Sequence, residues 1–305
     1  MTAIGFDTSN YTTSIACFDG VDGVNFSKLL PVKAGQLGLR QSDAVFHHTQ
    51  SLSELSDRLF SDLPDIGVVG VSTRPRAVEG SYMPCFSVGI SHAKMLSQAF
   101  RVPLVECSHQ QGHVAAALWG AGRMDLMDTA HLAWHLSGGT TELLLVKPDG
   151  KSVVCERIGG TTDISAGQLI DRTGQLLGLQ FPAGKAIDKL SAGALDTSVF
   201  GVKCNESAFS LSGVQNKVQT YFEETKDEAE TAAYAMRCVC SAVLRATQQA
   251  QKKYPGLEVV FSGGVSSNSM LRRVMSQLDA VFAPAQYSTD NALGVAILAH
   301  RAQEG

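Results

Sequence analysis

The chain has 305 residues, 44% hydrophobic and 18% charged, which is enough apolar side chain for a sizeable core and enough length for two lobes of ordinary domain size. A formal net charge of −4, with 25 Lys and Arg against 29 Asp and Glu, argues against a protein held on nucleic acid by its overall field. Seven cysteines without paired metal spacing exclude a disulfide framework, and the lack of an 18-residue apolar run or a secretory leader pattern predicts a cytoplasmic protein with no membrane segment.

In chain order, alternating apolar residues over 2–19 and 21–31 predict a hairpin, helical periodicity follows over 51–63, and 67–72 reads as a buried strand. A Pro/Gly-punctuated loop, 73–84, leads to a helix over 86–100, and a strand at 102–105 delivers the chain to a further helix. The polar, glycine-containing stretch 120–128 reads as a link between lobes, which sets an N-terminal lobe at 1–122 and a C-terminal lobe at 123–289. Strand and turn then restart at Ala130, pass a hairpin around Pro148-Asp-Gly and enter a helix over 164–177. A long amphipathic helix spans 229–253, and a last helix, about 290–305, is expected to cross back onto the first lobe.

Two motifs carry chemistry. In Leu104-Val-Glu-Cys-Ser-His-Gln-Gln-Gly-His113, His109 and His113 are four apart, a spacing that stacks both imidazoles on one helix face where they can grip one metal ion; a satisfied structural pair is the plainer alternative. Cys107, two residues before, is a candidate further ligand. Three glycine-containing turns follow apolar runs: Ile4-Gly-Phe-Asp-Thr-Ser, Leu132-Ala-Trp-His-Leu-Ser-Gly-Gly-Thr-Thr, and Val259-Val-Phe-Ser-Gly-Gly-Val. Each reads as a strand entering a tight turn whose backbone donors can face an anion. Any one fits an ordinary hairpin; three in order predict a duplicated phosphate-binding unit with a nucleoside-binding turn.

This order of motifs resembles the actin, sugar-kinase and Hsp70 (ASKHA) superfamily, and within it the tRNA N6-threonylcarbamoyladenosine synthase (TsaD, Gcp-like) family. The resemblance runs through Asp7-Thr8-Ser9, the histidine pair, Ser137-Gly138-Gly139, Asp163 with Ala166-Gly167 and Asp171, Leu176-Leu-Gly-Leu to Pro182-Ala-Gly184, Gly263-Gly264-Val265 with Asn268 and Leu271-Arg272, and Thr289-Asp290-Asn291-Ala292. It implies an α/β fold of two duplicated lobes, each a mixed sheet flanked by helices. It implies a metal-dependent acyltransferase that moves a threonylcarbamoyl group from its adenylate to the N6 amine of an adenosine in tRNA. His109, His113 and Asp290 would hold one iron or zinc ion. Ser137, Gly138, Gly139, Thr140 and Thr141 would face the phosphate of an adenylate or ATP, Asp171 and Gly184 the ribose, and Gly263, Gly264 and Asn268 the nucleoside. For Asp171 and Asn268, a helix-end charge and a turn residue are the plainer readings. tRNA would be bound with helper subunits, a TsaB-like paralogue and a TsaE-like ATPase.

The chain departs from the family pattern in places. Asp7-Thr-Ser-Asn-Tyr-Thr-Thr13 stands for Glu-Thr-Ser-Cys-Asp-Glu-Thr, Thr140 for the His of Ser-Gly-Gly-His-Thr, Ile164 for the second of two acids, and Arg74-Pro-Arg-Ala-Val-Glu-Gly80 for a Gly-Pro-Gly loop. Charged groups are lost while the proposed ligands are kept. That pattern leaves open a carbamoyltransferase-like enzyme on another acceptor and a non-catalytic nucleotide-binding partner subunit. Gln110 beside His109 disfavours a zinc protease, which would place Glu there.

Overall fold

The computed structural model describes residues 1–9, 11–31, 39–62, 65–195, 201–287 and 292–304. The chain divides into two compact units, one of Met1–Thr129, Lys147–Cys155 and Gln286–Gly305, the other of Ala130–Val146 and Glu156–Ala285.

The first unit opens with an antiparallel meander, β1 (Thr2–Asp7), β2 (Thr12–Phe18) and β3 (Gly23–Leu29). Then come α1 (Gln41–Leu59), β4 (Ile66–Arg74), α2 (Phe86–Phe100), β5 (Leu104–Ser108) and α3 (His109–Gly120). The sheet order is β3-β2-β1-β4-β5, with β4 parallel to both β1 and β5. Helices cover the sheet, so β1 is buried along its whole length and lacks polar alternation. Its core sets Ile4, Phe6, Ile15, Val69 and Val71 against Leu52, Leu55 and Leu59 of α1 and Val88 and Ala93 of α2. Each such aliphatic side chain contributes about 1.5–3 kcal/mol on burial. The helix expected at 51–63 begins ten residues earlier, at Gln41. Before Ser51 its buried stripe consists of Ala44 and His48 alone, and His48 Nδ1 bonds Thr13 Oγ1 at 2.7 Å, so the apolar period is hidden. The strand expected at 102–105 lies at Leu104–Ser108, because Pro103 has no N–H for the ladder and joins it only as acceptor from Val69 N. Within the expected link, Met124–Asp128 forms a 3-10 turn that buries Leu126 and Met127.

The second unit repeats the plan. The strands β6 (His131–Leu136), β7 (Thr141–Asp149) and β8 (Ser152–Thr161), the last two with their ends at 147–155 counted in the first unit, are followed by α4 (Ala166–Leu176), α5 (Gly184–Ser191), the short β9 (Cys204–Asn205) and β10 (Ala208–Phe209), α6 (Ser212–Thr225), and α7 (Glu228–Lys253). β11 (Val259–Ser262), α8 (Ser269–Met275) and β12 (Val281–Phe282) complete it. The order is β12-β11-β6-β7-β8-β10-β9, with β11 parallel to β6 and β12. Reading β6, β7, β8, β11 and β12 for β1 to β5, the two sheets have the same order, and β6–β7 is antiparallel like β1–β2 while β11 is parallel to both neighbours like β4. The core is built on Trp134, which is 0% exposed, stacks on Phe261 and donates its Nε1–H to Thr247 Oγ1 of α7 at 2.9 Å.

The last helix, α9 (Leu293–Arg301), packs on β1, β2 and β4 and against α3. Its approach to α3 is backbone on backbone. A Cβ on Gly294 would lie 1.8 Å from the Gly112 carbonyl oxygen, so only glycine fits there. No described helix is long and apolar enough to cross a membrane.

Candidate functional site

The histidine pair sits where β5 turns into α3. Ser108 caps this helix with a reciprocal pair of bonds: its Oγ accepts from Gln111 N, and Gln111 Oε1 accepts from Ser108 N at 2.7 Å. Gln111 Nε2 also donates to Val153 O at 2.7 Å, which pins the first turn. His109 is thereby the first helical residue and His113 lies one turn on. Their rings meet edge to face at 4.2 Å between centroids, with the two Nε2 atoms 2.8 Å apart. The other nitrogen of His109, Nδ1, is 2.8 Å from Oδ2 of Asp7 at the end of β1. Asp7 also accepts from Ser72 Oγ at 2.6 Å and Ser9 Oγ at 3.2 Å. Its side chain is 0% exposed, against 19% for His109. The pair therefore lies at the carboxyl ends of the adjacent parallel strands β1, β4 and β5, the edge of an open α/β sheet where ligands bind.

The remaining candidate ligands are placed differently. Asp290 lies outside the described residues. Cys107 Sγ lies 3.8 Å from Val71 O, and burial, reinforced by the Asp7 carboxylate, pushes its thiol far above the ordinary range. Among the described residues, no group of three His, Cys, Asp or Glu side chains could hold a metal ion. The hydroxyl of Thr8 is spent inside the protein, donating to Cys85 O and accepting from Gly89 N.

In the second unit, Ser137 to Thr140 form the tight turn between β6 and β7. Ser137 N donates to Thr140 O at 2.8 Å, and Thr140 N donates to Ser137 Oγ at 3.1 Å. Gly138 and Gly139 are exposed, and a Cβ on either would meet nothing within 4 Å, so a ligand can approach their backbone. The turn is anchored on the start of α4: Ser165 Oγ donates to Gly138 O at 2.6 Å, and Ala166 N donates to Thr141 Oγ1 at 2.8 Å. Thr141 is thus a buried structural link. Gly263 follows β11 at φ +91°, where an added Cβ would lie 2.2 Å from Leu136 O; Gly264 is open.

Asp171 and Asn268, the two side chains assigned to ribose and nucleoside, are held in α4 and α8, with α5 between them. Asp171 Oδ1 accepts from Ala183 N, next to Gly184 at the start of α5. Asp188, further along α5, accepts from Ser269 N and Oγ at 3.0 and 2.7 Å and so fixes the start of α8. Asn268 caps α8 by accepting from Leu271 N at 3.0 Å, while its Nδ2 is buried without a partner. Asp188 escaped the reading of the sequence, although its place four residues after Gly184, on the same helix face, was a usable signal. Asp163 serves elsewhere: although burial opposes its ionisation, donors from Ser210, Leu211 and Ser212 hold its carboxyl well below the usual range and fix the start of α6. A cavity of about 450 Å³, also unforeseen, opens among α5, α7 and α8, where Ser191, Arg237, Ser269 and Arg273 line it.

The family model "TsaD: tRNA N6-adenosine threonylcarbamoyltransferase" matches residues 35–297. A tRNA N6-adenosine threonylcarbamoyltransferase of Lacticaseibacillus casei (strain BL23) is 26% identical over 97% of this chain and 91% of its own. Among solved structures, full-length HypF in its phosphate- and nucleotide-bound form superposes at TM-score 0.64 and 16% identity, covering 100% of this chain and about half, 47%, of that one. A ROK family glucokinase from Streptomyces griseus in complex with glucose and AMPPNP gives 0.55 at 13% identity, with both chains fully covered. The fold is therefore the duplicated one of the sugar kinases and their relatives.

Proposed function

The chain belongs to the TsaD family of tRNA N6-adenosine threonylcarbamoyltransferases, and on that premise we propose that it moves a threonylcarbamoyl group from threonylcarbamoyl-adenylate to the N6 amine of an adenosine in tRNA. The observation that carries the reading furthest is the convergence of His109 and His113 on Nε2 atoms 2.8 Å apart at the open edge of the sheet. Imidazole nitrogens suit iron or zinc, so these two would hold the ion, with Asp290 as the third ligand. Such an ion, when bound, supplies a Lewis acid for negative charge on oxygen.

The chain's own groups would do the binding. The backbone N–H groups of Gly138 and Gly139 and the Ser137 hydroxyl would hold the adenylate phosphate. Asp171 and Gly184 would face the ribose, and Asn268 Nδ2 would donate to the nucleoside, which gives that buried nitrogen a partner. In the transfer, N6 forms a bond to the carbamoyl carbon, the bond from that carbon to the phosphate oxygen breaks, AMP leaves, and the proton shed by N6 passes to the phosphate or water. Helper subunits, a TsaB-like paralogue and a TsaE-like ATPase, would complete the tRNA surface that an acidic chain lacks.

A second reading is favoured by Thr140 and by the two acids missing between Asp7 and Thr13: the same groups passing a carbamoyl unit to another acceptor, or the chain acting as a nucleotide-binding partner subunit. Turnover separates them. Protein loaded with Fe2+ or Zn2+ and given the adenylate and tRNA should release AMP, and His113→Ala should slow that release by roughly 100-fold or more, since a Lewis acid on developing oxygen charge supplies several kcal/mol. Equal rates for the two proteins would remove the metal from the reaction, and no release with any tRNA and helper set would leave the partner-subunit reading.

A further inference from the structure

We propose that Asp7 is the positioning residue of the metal site: its buried carboxylate fixes the tautomer and ring orientation of His109, so that Nε2 faces the ion. This inference rests on the metal reading above. An ionised carboxylate can only accept hydrogen bonds. The 2.8 Å contact between Asp7 Oδ2 and His109 Nδ1 therefore puts the proton on Nδ1 and the lone pair on Nε2. That lone pair points to the side on which His113 Nε2 lies, 2.8 Å away. Two imidazole lone pairs do not face each other at that separation without something to share. In the protein alone a proton on His113 Nε2 makes the contact a hydrogen bond, and a bound metal ion would take both lone pairs in its place.

The cost of the arrangement supports a directed role. A carboxylate taken wholly out of water is expensive unless its lone pairs are used. Here three donors use them, and two are hydroxyls, Ser72 on β4 and Ser9 after β1, which hold Asp7 still without cancelling its charge. The charge is left to act on the third donor, His109. A carboxylate behind a ligating histidine orients the ring and raises its basicity, and losing it costs a metal site about 10–100-fold in affinity.

The test uses the full chain in two arms. With 15N-histidine labelling and a pH above the imidazole range, two-bond 1H–15N spectra of the metal-free wild type should show His109 protonated on Nδ1; protonation on Nε2 would overturn the proposal and needs no variant. In the second arm Co2+ is titrated and its visible absorption followed. Asp7→Asn, checked as folded by near-UV circular dichroism, should bind Co2+ about 10–100-fold more weakly than wild type with an altered spectrum. Equal affinity and an equal spectrum in a folded Asp7→Asn would overturn this inference alone. Wild type that takes up no Co2+ would overturn the metal reading and this inference with it. If Asp7→Asn fails to fold, the wild-type tautomer decides.

Discussion

At the scale of single residues, the candidate site is made of side chains that hold structure with one atom and leave another for a ligand. Asn268 is the clearest case, because Oδ1 caps α8 while Nδ2 is buried and unpaired. Asn268→Asp keeps a good capping oxygen but removes the donor, so its melting temperature should stay near that of wild type while ATP affinity, read by calorimetric titration, falls about tenfold; Asn268→Ala should lose about 1 kcal/mol of stability as well. Equal ATP affinity in both variants would reduce Asn268 to a cap. Asp163 is the opposite case, wholly engaged in holding α6. Because its folded-state value lies below the ordinary 3.8, the stability it contributes is fully present above that value and is lost as pH falls through the lower one. Asp163→Asn should therefore melt below wild type at pH 7, and the gap should close in strong acid. The histidine pair was legible from spacing alone, since a helix brings i and i+4 together. Its partnership with Asp7, 102 residues away, was not, because it depends on β1 and β5 both lying beside β4.

At the scale of elements, the site depends on where α3 is seated. Gly112 lies between the two histidines, and its carbonyl takes the close approach of Gly294 on α9. Gly294→Ala forces the helices apart and should cost about 1–3 kcal/mol of stability. It should also weaken Co2+ uptake, measured in the same titration as for Asp7→Asn; a variant that melts lower and binds Co2+ like wild type would show that the seating of α3 does not matter to the pair. The long α7 was readable to within a residue because apolar residues recur at helical spacing from Ala232 to Ala250 and Asp227 caps it. The shorter helices gave little signal. α6 buries only Val214 and Val218, and α5 and α8 have eight and seven residues, too few for a period to show. α1 was read from its apolar second half because a buried histidine stands where a leucine would have marked the first.

At the scale of the whole molecule, the repeated sheet order fits the duplicated fold that the family resemblance implied, but the first of the three expected glycine turns is absent: Gly5 lies inside β1, where its missing Cβ admits the Ala292 carbonyl, whereas Gly138 and Gly139 do stand in the turn after β6. Net charge belongs to this scale too. With −4 overall, the chain alone should bind tRNA weakly at physiological salt, and a helper subunit with basic surface should tighten binding and steepen its salt dependence. Filter binding at two salt concentrations, with and without the helper, measures this; tight, helper-independent binding would contradict it. The acceptor is what sets this reading apart from the others. The most direct measurement is mass spectrometry of nucleosides from tRNA incubated with the metal-loaded protein, threonylcarbamoyl-adenylate and helper subunits. N6-threonylcarbamoyladenosine should form in step with AMP and be lost with His113→Ala. Adenylate consumed and AMP released with every tRNA adenosine unmodified would contradict it.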